Sequence, residues 1–302
     1  MKQKTSNKIS NKLNLQELQY KANDIRQDII EMLVEAGSGH SAGPLDLADI
    51  FTALYFSVMK HDPQHPDWTT RDRLVLSCGH TCPVLYATLA EAGYFPKAEL
   101  KTLRKLGTRL HGHPHNLALP GIETSSGPLA QGASQAVGIA LALRMDSLKS
   151  RVFLVMSDGE QQEGQIWEAV MLAGKEKLHN ITAIIDRNNI QIDGFTENVM
   201  PLEGLRAKYE AFNWHVLEID GHNMQAIINA YAEAEAIYEK PTVIIAHTIP
   251  GKGVDYMEGK FEWHGSPPGI SDIAGAPPKA EQAAEALKEL RTLRGQIKSE
   301  HE

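Results

Sequence analysis

Cysteine is nearly absent from the chain, and no apolar run approaches the ~20 residues that a bilayer-spanning helix needs. Its two cysteines are Cys78 and Cys82. A secreted scaffold stapled by disulfides would carry more of them, so a reducing cytoplasm is the expected compartment. Residues Met1 to Lys12 are rich in Lys, Asn and Ser without a hydrophobic centre, and they read as a solvated tail rather than a secretory signal. An excess of basic residues is missing too. Thirty Lys and Arg stand against thirty-eight Asp and Glu, a formal net charge of -8 spread along the chain. That balance argues against a nucleic-acid partner and against an anionic membrane surface.

What is there suits a large folded domain. A chain of 302 residues, 42% of them hydrophobic, can bury roughly 75% of the surface its unfolded form exposes. It needs neither disulfide nor structural metal to hold together. The segment Cys78-Gly79-His80-Thr81-Cys82 places two thiols and an imidazole within five residues. A closed zinc site takes four ligands, and no second Cys/His pair stands at finger spacing, so the expectation is two unpaired thiols near a pocket.

Apolar periodicity gives the elements. Leu15, Leu18, Ala22, Ile25, Ile29, Met32 and Leu33 recur at three- and four-residue steps and predict a helix that stops at Gly37. A second helix is predicted from about Leu45 to Val58. Short apolar runs predict strands at Leu74–Leu76, Val152–Met156, Ile181–Ile185, His215–Ile219 and Val243–Ala246. Between them lie helical patterns near Val84–Glu91, Leu129–Leu148, Ile166–Leu178, Leu202–Phe212 and Met224–Tyr238. Such alternation argues an α/β fold, a mainly parallel sheet with helices on both faces. The expected organisation is a flexible tail (1–13), one domain (14–264), and a Pro/Gly-rich linker followed by a charged helix from about Ala280 to Lys298 (265–302).

The sharpest chemical signal is a pair of turns. Ser157-Asp158-Gly159 and Asn188-Asn189 each follow directly on an apolar strand. Residues just beyond the strand ends of an open parallel sheet line its ligand crevice, so the two turns can meet. Asp carboxylate, Asn amide oxygen and a backbone carbonyl are the oxygen donors a hard cation such as magnesium takes, with phosphate oxygens completing its shell. Gly159 would let backbone approach a diphosphate, and the helix beginning near Ile166 could add its N-terminal dipole. Asp-Gly and Asn-Asn are also ordinary turn dipeptides.

Asp158-Gly159 with Asn188-Asn189 resembles the thiamine-diphosphate fingerprint, with Ser157 in place of the usual first glycine. Over residues 20–270 the chain is similar to transketolases in particular. The matching stretches include Ser38-Gly39-His40, His61-Asp62-Pro63, Arg71 to Ser77 with Gly79-His80, and Gly112-His113-Pro114. Gly127-Pro128-Leu129, Glu163-Gly164, Ile190 with Ile192-Asp193-Gly194, Asp220-Gly221-His222 and His264-Gly265 continue it in the same order.

The resemblance implies the diphosphate-type domain of the thiamine-diphosphate-binding fold. It implies Asp158, Asn188 and the carbonyl of Ile190 as holders of Mg2+, with Ca2+ or Mn2+ as substitutes. His80 and Gly159 would contact the diphosphate, and Gly127 and Leu129 would lie beside the thiamine. His40, His113 and His264 would face the ketose donor. Glu163 and Glu168 would belong to a proton-linked path between two active sites; read alone, they are acids at a helix start, where the dipole favours them.

The implied reaction moves a two-carbon ketol unit from a ketose phosphate to an aldose phosphate, as in pentose-phosphate metabolism. A donor hydroxyl loses a proton as the carbon–carbon bond breaks and the acceptor gains one, work suited to imidazoles that titrate near neutrality. The cofactor stabilises the carbanion. Thirteen histidines are present. His61, His65, His179 and His301 read as surface residues, and His111, His115 and His222 receive no role.

Transketolases are normally about twice this length, and their second half carries the pyrimidine-binding domain with the glutamate that activates the cofactor. Only 38 residues follow His264. A split enzyme is therefore expected, an α2β2 assembly with a separate C-terminal subunit. Competing readings are a 1-deoxyxylulose-phosphate synthase or the alpha chain of a 2-oxo-acid dehydrogenase, a non-enzymatic cofactor-binding homologue, and a transketolase specialised for a branched or sulfonated ketose.

Overall fold

Residues 13–293 are described by a computed structural model. Helix α1 (Leu15–Ala36) begins at a reciprocal cap: Asn14 Oδ1 accepts from the Glu17 N–H, and Glu17 Oε2 accepts from the Asn14 N–H. It ends at Gly37, whose φ of 63° closes the last turn. The expected single helix over 45–58 is divided into α2 (Ala42–Asp46), α3 (Ala48–Ala53) and one π turn at Leu54–Val58. A continuous helix would offer the Leu45 carbonyl to the N–H of Asp49. Here that carbonyl accepts from Arg26 Nε at 2.9 Å, and the break falls between them.

Strand β1 (Arg73–Leu76) leads to α4 (Cys82–Glu91), then to α5 (Gln131–Met145). Strand β2 (Val152–Ser157), α6 (Gly164–Lys175) and β3 (Ile181–Arg187) follow. A small antiparallel hairpin, β4 (Ile190–Gln191) and β5 (Gly194–Phe195), and the short α7 (Thr196–Val199) were not foreseen. The rest is α8 (Leu205–Ala211), β6 (His215–Asp220), α9 (Met224–Ala236), β7 (Thr242–His247) and α10 (Lys279–Leu293).

The five main strands pair in parallel in the order β1-β2-β3-β7-β6. Strands β2 and β3 are buried along their whole length, which is why they read as unbroken apolar runs rather than alternating ones. One core packs side chains of α1, α3, α4 and α9 against the sheet, and a second packs α5, α6 and α8 against the opposite face. Helices thus cover both faces, as expected.

The helix predicted near residue 280 runs back over α1. Leu290 and Ala286 are fully buried, and Asn23 Nδ2 donates to the Leu290 carbonyl at 2.8 Å. Of the expected tail, residues 1–12 lie outside the described residues, and Leu13 packs partly buried on the core.

Candidate active site

The parallel pairing of β2 and β3 sets Ser157 opposite Asp186, so the two strands deliver Asp158 and Asn188 side by side. Asp158 is buried, and its Oδ2 is held three ways: by Arg187 Nη1 at 2.9 Å, the Asn189 N–H at 2.8 Å and Thr196 Oγ1 at 3.2 Å. Its Oδ1 accepts from the Gly159 N–H. Burial raises the Asp158 pKa, and the Arg187 guanidinium opposes that shift.

Asn188 is oriented by acids. Its Nδ2 donates to Asp46 Oδ2 at 3.1 Å and Asp186 Oδ2 at 2.9 Å, so Oδ1 turns away from them and accepts from the Ile190 N–H at 3.2 Å. Burial pushes both acids up, with their mutual repulsion adding to the rise of Asp46. A carboxylate oxygen, an amide oxygen and a backbone carbonyl are the donor types that a hard divalent cation sharing phosphate oxygens takes, so the chemistry of Asp158, Asn188 and Ile190 fits such an ion. Among the described residues no group of three or more His, Cys, Asp and Glu is arranged to hold a metal. Both thiols are buried in the core, with Cys82 Sγ donating to the Gly112 carbonyl at 3.2 Å.

Three histidines converge from distant parts of the chain. Ring centroids lie 4.8 Å apart for His40 and His80, 5.3 Å for His40 and His264, and 5.2 Å for His80 and His264. Ser41 Oγ, which donates to the Trp263 carbonyl at 3.0 Å and the Ser266 carbonyl at 2.7 Å, ties the segment of His40 to that of His264. Burial lowers the pKa of His40 to about 3 and of His264 to about 4, and it drives His80 well below its usual range. All three are therefore neutral at neutral pH. Among the described residues, the buried Nδ1 atoms of His40 and His264 have no hydrogen-bond partner. Neutral imidazoles with unspent polar atoms fit a ligand rich in hydroxyl and phosphate oxygens.

His113 stands at the rim, exposed, with its ring 4.0 Å from where a side chain on Gly127 would begin. Gly79 lies close to the same loop: a Cβ there would lie 2.5 Å from Ser126 Oγ and 3.1 Å from the Gly127 nitrogen. Only glycine lets the 126–129 loop, with Gly127 and Leu129, reach the residue next to His80. The Arg104 guanidinium lies against Gly112, with its Nε 3.0 Å from the position of a Cβ there, and helps to lower the pKa of His40 and His113.

Two charged residues beneath the site escaped the sequence reading. Glu160 is fully buried, accepting from Ser77 Oγ, the Ala130 N–H and, at 3.2 Å, the Ser157 N–H. It ties the ends of β1 and β2 to the start of α5, and burial raises its pKa to about 7. Arg187 is 3% exposed and bridges Asp158 to Glu197 and Glu203. An Asp-Arg pair closing an apolar strand was the available signal for it.

Glu163 and Glu168 lie outside this cluster, exposed at the start of α6. His222 is structural: its Nε2 accepts from the Ile249 N–H at 2.8 Å, so Nδ1 donates to Asp49 Oδ2 at 3.0 Å, and Asp49 pairs with buried Arg26. His61 departs from the surface reading. Half-buried, it donates from Nε2 to the Tyr55 carbonyl at 2.7 Å and accepts at Nδ1 from the Tyr94 hydroxyl at 3.1 Å. His65 and His115 are exposed, and the His111 carbonyl accepts from the Tyr86 hydroxyl at 2.8 Å. His301 lies outside the described residues.

Comparison with known proteins agrees with this geometry. The family described as transketolase, thiamine diphosphate binding domain, matches residues 18–282. The chain is 47% identical over 248 residues to a 6-deoxy-6-sulfo-D-fructose transketolase subunit of a Clostridium species, covering 82% of this chain and 90% of that one. It is 42% identical over 274 residues to an apulose-4-phosphate transketolase subunit of Phocaeicola vulgatus, covering 91% and 93%. Transketolase 2 of Escherichia coli is 38% identical over 265 residues, and there the match takes in 40% of the relative. Among solved structures, a transketolase of Campylobacter jejuni superposes with a TM-score of 0.81 at 33% identity. The match covers 94% of this chain and 48% of that one, so the chain spans about half the length of the solved enzymes it resembles. The chain belongs to the transketolase family, and what it carries is that family's thiamine diphosphate binding domain.

Proposed function

We propose that the chain is the diphosphate-binding subunit of a two-subunit transketolase, transferring a ketol unit between sugar phosphates with thiamine diphosphate and magnesium. The observation that carries this reading is the convergence of three half-buried, neutral imidazoles, two with buried unpartnered nitrogens, in a chain of the transketolase family. Asp158, Asn188 and the Ile190 carbonyl hold the cation, with Ca2+ or Mn2+ as substitutes. His80 and Gly159 contact the diphosphate, and Gly127 and Leu129 flank the thiamine. When bound, the cofactor supplies the carbanion-stabilising chemistry of carbon–carbon cleavage.

His40, His113 and His264 face the donor. A neutral imidazole accepts a proton from a donor hydroxyl at one nitrogen, and it returns one to an acceptor as the new bond forms. Burial beside His80 keeps water from competing for those nitrogens, and His113 at the rim orients the sugar.

The partner is a C-terminal, pyrimidine-domain subunit in an α2β2 assembly. Support comes from the two relatives named as subunits, each matched over nine-tenths of its length. Exposed apolar side chains are consistent with it: Met145 on α5 and Met171 and Leu172 on α6 are 81%, 53% and 43% exposed. Glu163 and Glu168 begin the same α6, where a proton-linked path across the assembly would run. The place of work is the cytoplasm, in keeping with two free thiols; among the described residues no helix is long and apolar enough to cross a membrane.

The names of those relatives favour a specialised donor, either a sulfonated or a branched ketose, over ordinary pentose phosphates. The test is ketol transfer with cofactor and magnesium, assayed for the chain alone and with a co-produced pyrimidine-domain partner, across pentose-type, sulfonated and branched donors. Activity only in the pair supports the reading. Full activity of the chain alone would overturn its split form, and pyruvate as the preferred donor would overturn ketol transfer.

A further inference from the structure

Gly159 does not need its glycine for backbone conformation, because its φ is not in the left-handed region. Space is the constraint. The atoms nearest to a Cβ at 159 would all belong to Gln191, with Nε2 at 3.0 Å, Cδ at 3.2 Å and Cγ at 3.3 Å. The Gln191 side chain therefore lies flat across the turn that follows β2. Its backbone is fixed there by the β4–β5 hairpin, in which Gln191 pairs with Gly194.

The Nε2 of Gln191 is buried and, among the described residues, has no hydrogen-bond partner. A buried donor left unpaired costs about 1–3 kcal/mol, and a methionine of the same length would cover Gly159 without that cost. The donor lies over Gly159, next in sequence to Asp158, and belongs to the residue that follows Ile190. A ligand that arrives at that place can offer this N–H the acceptor oxygen it lacks.

We infer that the side-chain amide of Gln191 donates to a diphosphate oxygen laid over Gly159, so that Gln191 is a cofactor-positioning residue this chain supplies. The inference rests on the proposal that Asp158, Gly159 and Asn188 mark the diphosphate end of the site. It also gives Gly159 a second task, since any side chain at 159 would displace the amide from above the turn.

The experiment titrates thiamine diphosphate, and separately inorganic pyrophosphate, into the purified full chain with magnesium, using Gln191→Met and Gln191→Glu beside an Asp158→Ala reference. One hydrogen bond to a charged group predicts about a tenfold or larger loss of affinity for both ligands in Gln191→Met. Gln191→Glu, which sets an anion against an anion, loses more. The unliganded Gln191→Met chain melts at the wild-type temperature or above it, because an unpaired donor has been removed; a role in holding the hairpin together would lower it. Binding by both variants within twofold of wild type overturns the inference, and so does a lowered melting temperature in Gln191→Met. If wild type binds and Asp158→Ala does not while Gln191→Met binds normally, the inference alone falls. If wild type itself shows no magnesium-dependent binding, the cofactor proposal falls and takes the inference with it.

Discussion

Arg187 Nη1 donates to Asp158 Oδ2 at 2.9 Å, in a pair that is 3% and 1% exposed. The same guanidinium reaches Glu197 at 2.6 Å and Glu203 at 2.9 Å through Nη2, so one cation serves three carboxylates. It opposes the rise that burial gives the Asp158 pKa, and it engages Oδ2 while Oδ1 accepts from the Gly159 N–H.

Removal of that cation should be costly. Arg187→Met leaves Asp158 as an uncompensated buried charge, and unfolding in denaturant should show a loss of about 3–5 kcal/mol. Arg187→Lys should fall between, since one ammonium cannot reproduce a planar fork shared by three acids. Added magnesium should raise the melting temperature of Arg187→Met more than that of wild type, because a divalent cation beside Asp158 would supply the missing charge.

Glu160 makes a second, separable prediction. Glu160→Ala leaves the Ser77 hydroxyl and the Ala130 and Ser157 N–H groups without their acceptor, a loss on the order of 2–4 kcal/mol by thermal or denaturant unfolding. Glu160→Gln keeps one acceptor oxygen and should lose less. The acid's folded pKa, about 7, lies above its ordinary value. Its contribution therefore favours the folded state as pH falls from about 7 toward 4.5, and Glu160→Gln should remove that component of the pH dependence.

The histidines act with the opposite sign. His264 titrates at about 4 in the fold and near 6.5 when exposed, so between those values the unfolded chain binds a proton that the folded chain does not. Its contribution is full above pH 6.5 and is lost as the pH falls toward 4. Against His264→Gln, wild type should lose relative stability through that window by at most about 1.4 kcal/mol per pH unit. Paired unfolding curves at pH 7, 6 and 5 read this directly. A gap that stays constant would contradict a neutral imidazole at this half-buried position.

The strand ends were legible because β2 and β3 are buried on both faces, and so each appears as an apolar run followed by a polar turn. The spacing of His40, His80 and His264 said nothing of their meeting, and family resemblance supplied it. The break at Leu47 was hidden because its cause, Arg26, sits nineteen residues upstream of Leu45 on another helix. Nothing in Asp158-Gly159-Glu160-Gln161-Gln162-Glu163 marks Glu160 as the acid that turns inward and Glu163 as the one that stays outside; that choice is made by the Ser77, Ala130 and Ser157 donors. The β4–β5 hairpin has two residues per strand, too few to leave a periodic signal.

The proposed magnesium–diphosphate site rests on Asp158 and Asn188 at the ends of β2 and β3. Calorimetric titration of thiamine diphosphate into the full chain tests it most directly, run with magnesium and with a chelator, on wild type, Asp158→Ala and Asn188→Ala. Binding should require the cation and should fall at least a hundredfold in either variant, a loss of about 2.7 kcal/mol or more. Equal affinity in the chelator, or variants that bind as wild type does, would contradict it.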